Sequence, residues 1–364
     1  MTLSLYVMRR FAKLVTQVFL IFFGIMMLIE MVDQLRRFSA QGLSLTHAAE
    51  LAALNVPSSL YRILPLIVIL ASVAMFVGLA RTSELVVVRA AGRSGLRFLM
   101  APVAAALVLG VLAVAVMNPV VAGLSREYEA AYARLARGSE SVLSISSSGL
   151  WLRQGGAEGQ TVIQAARTDL DGTRLYAVTF LTFSPDGAPL IRTEAEEASL
   201  EPGAWALTDA KVWDLTAANP EVTARTEPTL RLPTDLTRER IRDSFGKPSA
   251  IPIWDLPAYI ARIEAAGFSA RAHRVWFQME LALPLLLGAM VMLAAGFTMR
   301  HARFGRTGQM VLSAILCGFA LFFLRNFGQV LGENGQIPVA LAAWSPPVAA
   351  GLLSLGLLLH VEDG

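Results

Sequence analysis

Six stretches of the chain are apolar over most of their length, and long polar or alternating segments separate them. These stretches cover residues 14–32, 56–80, 98–117, 275–299, 310–330 and 341–360. A helix of about 20 residues crosses the roughly 30 Å hydrocarbon core of a bilayer. The pattern therefore predicts six membrane-spanning helices, three on each side of a different kind of segment.

That central segment, residues 142–233, has the two-residue alternation of β-strands. The alternation is clearest in Leu175, Ala177 and Thr179, which differ in polarity from their neighbours. Turn pairs such as Asp171-Gly172 and Pro202-Gly203 recur at the spacing of about 8–12 residues that is typical of a sandwich or jelly roll. The predicted fold class is a membrane α-helical protein with an inserted all-β, jelly-roll-like domain.

Three parts of the chain follow from these patterns. Residues 1–124 hold the first three spans, with a short helix predicted at 82–92 between the second and the third. Residues 125–270 hold the β domain with helical flanks, and residues 271–364 hold the last three spans.

Basic residues cluster at alternate ends of the apolar stretches. They are Arg9, Arg10 and Lys13, then Arg81, Arg89, Arg93 and Arg97, and finally Arg300, Arg303 and Arg306. Such clusters mark the cytoplasmic side of a membrane protein. The sequence therefore predicts a membrane protein with both termini in the cytoplasm and the β domain on the outer side of the membrane.

The segment between the second and third spans has the signals of a helix. Thr82 or Ser83 can cap it, Glu84 then lies in a first turn that favours an anion, and Gly92 is a natural stop. The valines at 86–88 are equally typical of a strand, and a charged loop that only fixes topology is the simplest alternative. We favour a helix along the membrane surface, because a lone strand there has no partner for its backbone.

Composition excludes several classes of protein. The chain is 55% hydrophobic and 16% charged, with a net charge of +3, so the basic clusters indicate topology and not nucleic-acid binding. The single cysteine, Cys317, excludes an intrachain disulfide. The sequence lacks a P-loop, a GxSxG motif and an HExxH motif, and its four histidines are scattered. A transporter or scaffold without a metal or cofactor of its own is therefore favoured over an enzyme.

Charged residues within or beside the spans are candidate functional residues. Glu30, Glu280 and Arg325 lie near the outer ends of spans, where an unpaired charge costs at least about 2.5 kcal/mol. An ion pair between Arg325 and Glu280 and a role in binding substrate are both consistent with these positions. Further arginines at the outer face can contact lipid headgroups or grip an anionic amphiphile with bidentate hydrogen bonds. These are Arg36, Arg37, Arg62, Arg126 and Arg134.

Taken together, three spans, a β domain, three more spans and the SELVVVRAAG turn at 83–92 resemble the lipopolysaccharide-export permeases of the LptF/LptG type. The resemblance covers essentially the whole chain. Three patches are more similar to the LptG member: VDQLRR at 32–37, the SELVVVRAAG turn, and GLW at 149–151.

The resemblance implies that this turn is a coupling helix docked on a cytoplasmic ATPase. Its contact residues would be Ser83, Glu84, Leu85, Arg89 and Gly92. The implied partners are an LptF-like second permease subunit, an LptB-like ATPase dimer that binds ATP and Mg²⁺, an LptC-like single-span protein, membrane lipids, and lipopolysaccharide as substrate. One position departs from the family, because Glu30 stands where LptG proteins have a lysine that contacts lipid phosphate.

Two rival functions are consistent with part of the pattern. In a membrane-anchored sensor or assembly scaffold, the β domain binds a ligand and the spans only hold it. A secondary transporter ranks third, because its inverted repeats and broken helices at mid-membrane are not evident in the two halves.

Overall fold

The computed structural model describes residues 2–39, 44–84, 87, 94–135, 143–146, 149–156, 159–169, 172–237, 241, 247–265, 268–299 and 307–363. Its α-helices are α1 (Thr2–Arg37), α2 (Leu45–Arg62), α3 (Leu64–Arg81), α4 (Gly95–Leu112), α5 (Asn118–Leu135), α6 (Leu256–Ala265), α7 (Arg271–Thr298), α8 (Thr307–Glu333) and α9 (Val339–Asp363). A π-helical turn, Ala113–Met117, joins α4 to α5 without a break. The contacts divide the chain into a helical unit (Met1–Tyr132, Ser249–Trp254 and Arg271–Gly364) and a β unit (Ala133–Pro248 and Asp255–Ala270).

Within the described ranges, six helical segments are long and apolar enough to cross a membrane. They correspond one to one with the six apolar stretches, so the predicted spans are confirmed. Most of the helices extend beyond the stretches into polar sequence at one or both ends. The third span, for example, continues through the π-helical turn to Leu135, so the helical flank predicted at the start of residues 125–270 is a continuation of this span.

The second predicted span, 56–80, is divided between two helices. The chain leaves helical geometry at Ile63, and Pro65 then lies in the first turn of α3. A proline is tolerated there because the first-turn N–H groups have no partner within the helix. Residues 56–62 therefore complete α2, whose serine cap, Ser44, accepts a hydrogen bond from the backbone N–H of His47.

Close backbone approach fixes the centre of the helical unit. A Cβ atom on Gly110 of α4 would lie 2.4 Å from the Cα atom of Pro284 in α7, so only glycine allows this crossing. Small residues let membrane helices approach in this way, since lipid supplies no hydrophobic force between them. The helices α3 and α7 are accordingly the most buried of the unit.

The β unit contains one antiparallel sheet of seven strands among the described residues. The strands are β1 (Leu143–Ser146), β2 (Gly149–Gly156), β3 (Gly159–Thr168), β4 (Arg174–Phe183), β5 (Pro189–Glu201), β6 (Ala204–Asp214) and β7 (Arg225–Pro233). They pair in consecutive order from β1 to β7. The predicted fold class, six spans with an inserted all-β domain, is confirmed. A jelly roll in the strict sense joins two sheets by Greek keys, so jelly-roll-like describes only the all-antiparallel character of this sheet.

One face of the sheet packs against α6. The expected alternation of buried and exposed side chains changes phase partway along β4 and β6. Leu175 faces the core, but Ala177 has a φ of 50° and is exposed, and the next core residue is Val178. Asp209, with a φ of 52°, interrupts β6 in the same way. The prediction that Leu175, Ala177 and Thr179 share a face is therefore wrong, because the positive φ shifts the side-chain pattern by one residue.

Candidate functional site

The first candidate site lies at the end of the helical unit where α1 begins. The Nη1 atom of Arg10 donates hydrogen bonds to the Glu84 carboxylate at 2.8 Å and to the Tyr6 hydroxyl at 2.7 Å. Both members of the Arg10–Glu84 ion pair are partly buried, with side-chain exposures of 25% and 34%. The residue that opens the segment after α3 is thus bound to the first membrane helix.

The backbone around Glu84 supports the predicted helix start. Ser83 has a φ of 56°, which reverses the chain after α3, and its carbonyl accepts a hydrogen bond from the N–H of Val87. The Thr82 hydroxyl lies 2.7 Å from the Glu84 carboxylate. Burial opposes ionisation of Glu84, but the hydrogen bonds from Thr82 and Arg10 outweigh it and lower the pKa of this carboxyl group. Of the other predicted coupling residues, Leu85, Arg89 and Gly92 lie outside the described residues.

The second candidate site consists of the apolar faces of α1 and α8. From residue 16 to residue 33, no side chain of α1 is buried within the described part of the chain. In α8 the side chains of one stripe are buried, while aromatic and aliphatic side chains elsewhere on the helix are exposed. The exposed ones include Leu316, Phe319, Phe323, Leu324 and Phe327. Of the six described spans, these two have the smallest buried share, and they therefore offer the most free surface for lipid or for another subunit.

A buried polar cluster, which we call the Glu280 cluster, links α8 to the packed helices. It consists of Tyr61, Asn118, Glu280 and Arg325. Glu280 is fully buried and accepts a hydrogen bond from the Tyr61 hydroxyl, while Asn118 accepts one from the backbone N–H of Ile253 at 2.9 Å. Arg325, only 7% exposed, interacts with Glu280 electrostatically, without a direct ion pair among the described residues. The hydrogen-bond partner of Glu280 is thus Tyr61, and the direct ion pair with Arg325 that the sequence suggested is not formed between these two described residues.

A second polar cluster, the Glu30 cluster, joins the far end of α1 to α2 and α5. The Glu30 carboxylate accepts hydrogen bonds from Gln34 at 2.7 Å and from Asn55 at 2.8 Å. Gln34 is fully buried and also reaches the Tyr128 hydroxyl at 2.8 Å. Both donors reach Oε1 of Glu30, so this oxygen is held by side chains of its own subunit.

The predicted outer arginines differ in whether an acid of the same chain already binds their guanidinium group. Arg37 donates to the Asp33 carboxylate at 2.6 Å, one helical turn away. Arg36, Arg62 and Arg126 are exposed. Arg134 lies on α5, and its side chain is outside the described set. Arg36, Arg62 and Arg126 are thus the arginines best placed to meet an external anion.

Comparison with known proteins agrees with this arrangement. Residues 5–360 match the family described as "Lipopolysaccharide export system permease LptF/LptG". The chain belongs to this family. It is a multi-pass inner-membrane permease, as the resemblance in sequence indicated.

Curated relatives of this permease match over nearly their whole length. The "Lipopolysaccharide export system permease protein LptG" of Haemophilus influenzae is 24% identical, over 97% of this chain and 95% of the relative. The protein with the same description in Escherichia coli K12 is 26% identical, over 92% of this chain and 91% of the relative.

Sequence reasoning missed several residues that organise these sites in the permease. Tyr61, Gln34 and Asn55 carry no charge, so the search for charged residues in spans passed over them. Arg10 was assigned only to topology. A signal was present in each case, since each is a hydrogen-bonding residue close to an apolar stretch.

Proposed function

We propose that this chain is one permease subunit of an ABC transporter that extracts lipopolysaccharide from the outer leaflet of the inner membrane. ATP hydrolysis in a separate subunit drives the extraction, and the lipid passes to a periplasmic bridge toward the outer membrane. The family match over residues 5–360 carries this proposal. The LptG descriptions of the relatives favour LptG over LptF.

The free faces of α1 and α8 support a lipid path. Transfer of one 12-carbon acyl chain out of an apolar environment costs on the order of 10 kcal/mol at about 0.8 kcal/mol per CH₂. A lipid with several chains therefore leaves the bilayer only for another apolar cavity. In our proposal, an LptF-like second subunit encloses that cavity together with α1 and α8, and Arg36, Arg62 and Arg126 at its rim contact the lipid phosphates.

The start of the segment after α3 supports contact with an ATPase. Glu84 leads a helical turn whose next described residue, Val87, is 67% exposed. In our proposal this segment docks on an LptB-like ATPase dimer, with Ser83, Leu85, Arg89 and Gly92 as further contact residues. This chain then needs no cofactor of its own, because the partner binds ATP and Mg²⁺.

The β unit is suited to pass lipid to a further β domain by pairing with it at an edge strand. Its first and last strands, β1 and β7, each pair with only one neighbour among the described strands. Such edges accept an added strand through main-chain hydrogen bonds. We place this unit in the periplasm, with an LptC-like single-span protein as partner and both chain termini in the cytoplasm, in agreement with the distribution of basic residues.

Purification and reconstitution test the proposal. A tagged chain is expected to co-purify with an ATPase and with a second six-span permease. In proteoliposomes loaded with lipopolysaccharide, this complex should release the lipid to a soluble periplasmic acceptor only when ATP is present. A chain that purifies without an ATPase, and whose β unit binds a ligand by itself, would instead support the sensor or scaffold function.

A further inference from the structure

We propose that Arg10 is a positioning residue that connects the first membrane helix to the ATPase-coupling segment through Glu84. This inference rests on the proposed function, because it assumes that the segment that begins at Glu84 docks on the ATPase. It assigns Arg10 a second task beyond the topological one that any basic residue at this membrane edge performs.

The geometry around Arg10 is specific. Its guanidinium group bridges the Tyr6 hydroxyl and the Glu84 carboxylate, and it lies over the Tyr6 ring at 5.9 Å from the centroid. It also packs against the last turn of α3, where a Cβ atom on Gly78 would come within 3.1 Å of Nη2. A cation is favoured at the C-terminal end of a helix by the helix dipole. Arg10 therefore contacts α3 and the start of the coupling segment together.

The described start of the coupling segment, Thr82 to Glu84, is held to α1 at Glu84. Ser83 adopts a left-handed φ of 56°, a conformation that is unfavourable for a residue other than glycine. The reversal directs Glu84 back toward Arg10, and Thr82 contacts the same carboxylate oxygen at 2.7 Å. Removal of Arg10 takes away the ion pair with Glu84 and leaves the hydrogen bonds from Thr82 and Tyr6.

The packing of α1 makes it suited to transmit movement. Val7, Phe11 and Val15 are buried at intervals of one turn, so the start of this helix is anchored in the helical unit. Its middle has no buried side chain from residue 16 to residue 33, within the described part of the chain. A displacement of this stretch by lipid thus reaches the rest of the permease at the two attached ends of α1, one of which is where Arg10 binds Glu84.

Arg9 provides a matched control. It is the adjacent arginine on the same helix and carries the same topological charge, but its side chain is exposed. Arg10→Gln and Arg9→Gln therefore remove the same charge from the same membrane edge, and only the first breaks the contact with Glu84. A role confined to topology predicts equal effects of the two changes.

The test measures coupling in the purified, lipid-loaded transporter. We expect Arg10→Gln to lower the number of lipopolysaccharide molecules released per ATP hydrolysed by roughly fivefold, which corresponds to about 1 kcal/mol for a partly buried ion pair. Arg9→Gln should keep the wild-type ratio. In a Cys317→Ser background, crosslinking from Val87→Cys to the ATPase should also fall in Arg10→Gln and stay unchanged in Arg9→Gln.

A second variant guards against failure of Arg10→Gln to insert in the membrane. Arg10→Lys keeps the charge but replaces the guanidinium fork by one shorter donor, so a smaller loss of about twofold is expected. A wild-type ratio and wild-type crosslinking in whichever variant inserts would overturn the inference and leave the proposed function intact. If wild-type protein recruits no ATPase, the proposed function itself fails.

Discussion

Helices α1 and α3 of the permease are similarly apolar, but only α3 is packed inside the chain. Helices α8 and α7 differ in the same way, with α7 as the packed one. The most apolar parts of α1 and α3 are equally apolar, but 6% of the residues in the first and 67% of those in the second are buried within the chain. The same contrast separates α8, at 22%, from α7, at 72%. Hydropathy alone therefore identifies a membrane helix without indicating what surrounds it.

The difference lies in the polar and small residues. In the packed helix α7, Pro284 meets Gly110 of α4 and Glu280 is fully buried, and this helix contacts several others. By contrast, the buried side chains among the described residues of α1 lie near its two ends, beside Arg10 and in the Glu30 cluster. Lipid and apolar side chains are equally good surroundings for leucine, so contacts of this kind decide which membrane helices associate.

The largest effect on stability is expected where the weakly buried helix α8 meets the packed helix α7. Arg325 brings a buried charge on α8 close to Glu280 on α7, and loss of one partner leaves the other charge uncompensated in the interior. Arg325→Ala should lower the free energy of unfolding by about 3–5 kcal/mol. The double change Arg325→Ala with Glu280→Ala should lower it less than the single change, as measured by thermal unfolding in detergent.

A double-mutant cycle decides whether the two residues interact. Glu280→Gln serves as the control, because its amide oxygen still accepts a hydrogen bond from Tyr61 while the charge is gone. Additive losses in the cycle would contradict the prediction and indicate that Arg325 faces the lipid path.

The next effect contrasts two glycines. An alanine at Gly110 would force its Cβ atom to within 2.4 Å of the Pro284 backbone, so Gly110→Ala should destabilise the permease by about 1–3 kcal/mol. An alanine at Gly24 in α1 would meet no atom within 4 Å. Gly24→Ala should therefore be neutral or up to about 1 kcal/mol stabilising, through helix propensity alone. Equal shifts in melting temperature for the two variants would refute the contrast in packing.

Much of the fold could be predicted from the sequence because it depends on local patterns. The six spans follow from apolar length, and the all-β character of residues 142–233 follows from the two-residue alternation and the turn pairs. The break at Ile63 and the change of phase at Ala177 were not predictable in this way. Both arise where the tertiary structure imposes a backbone conformation that the surrounding pattern does not require.

The candidate sites were only partly predictable. Charged residues such as Glu84 and Arg325 stand out in apolar surroundings, since burial of a charge is costly. Their partners are separated from them by many residues in sequence, as with Arg10 and Glu84, 74 positions apart. Only the fold decides which of several basic residues reaches a given acid, and so Arg10 could not be distinguished from Arg9.

A smaller effect tests how the far end of α1 is attached. Glu30→Lys removes the oxygen that accepts hydrogen bonds from Gln34 and Asn55, and it places an ammonium group, which only donates, next to both donors. We expect a loss of about 1–2 kcal/mol in unfolding free energy, and a smaller loss for Glu30→Gln, which keeps an acceptor oxygen. A Glu30→Lys variant of wild-type stability that captures more lipid in crosslinking would show that this position serves the lipid and not the attachment of α1.

The smallest effect on stability, and the finest distinction, concerns two neighbouring arginines at the same end of α1. Arg36 and Arg37 are both exposed, but Asp33 already binds the guanidinium group of Arg37 at 2.6 Å. Each change to glutamine should alter the unfolding free energy by less than about 0.5 kcal/mol. With a photo-crosslinking residue at the exposed position Ser39, Arg36→Gln should reduce capture of lipopolysaccharide by roughly fivefold, for about 1 kcal/mol of lost phosphate contact. Arg37→Gln should reduce it less, because the carboxylate of Asp33 offsets much of its charge toward an external anion. The opposite order, or no change from either substitution, would remove this end of α1 from the path of the lipid headgroup.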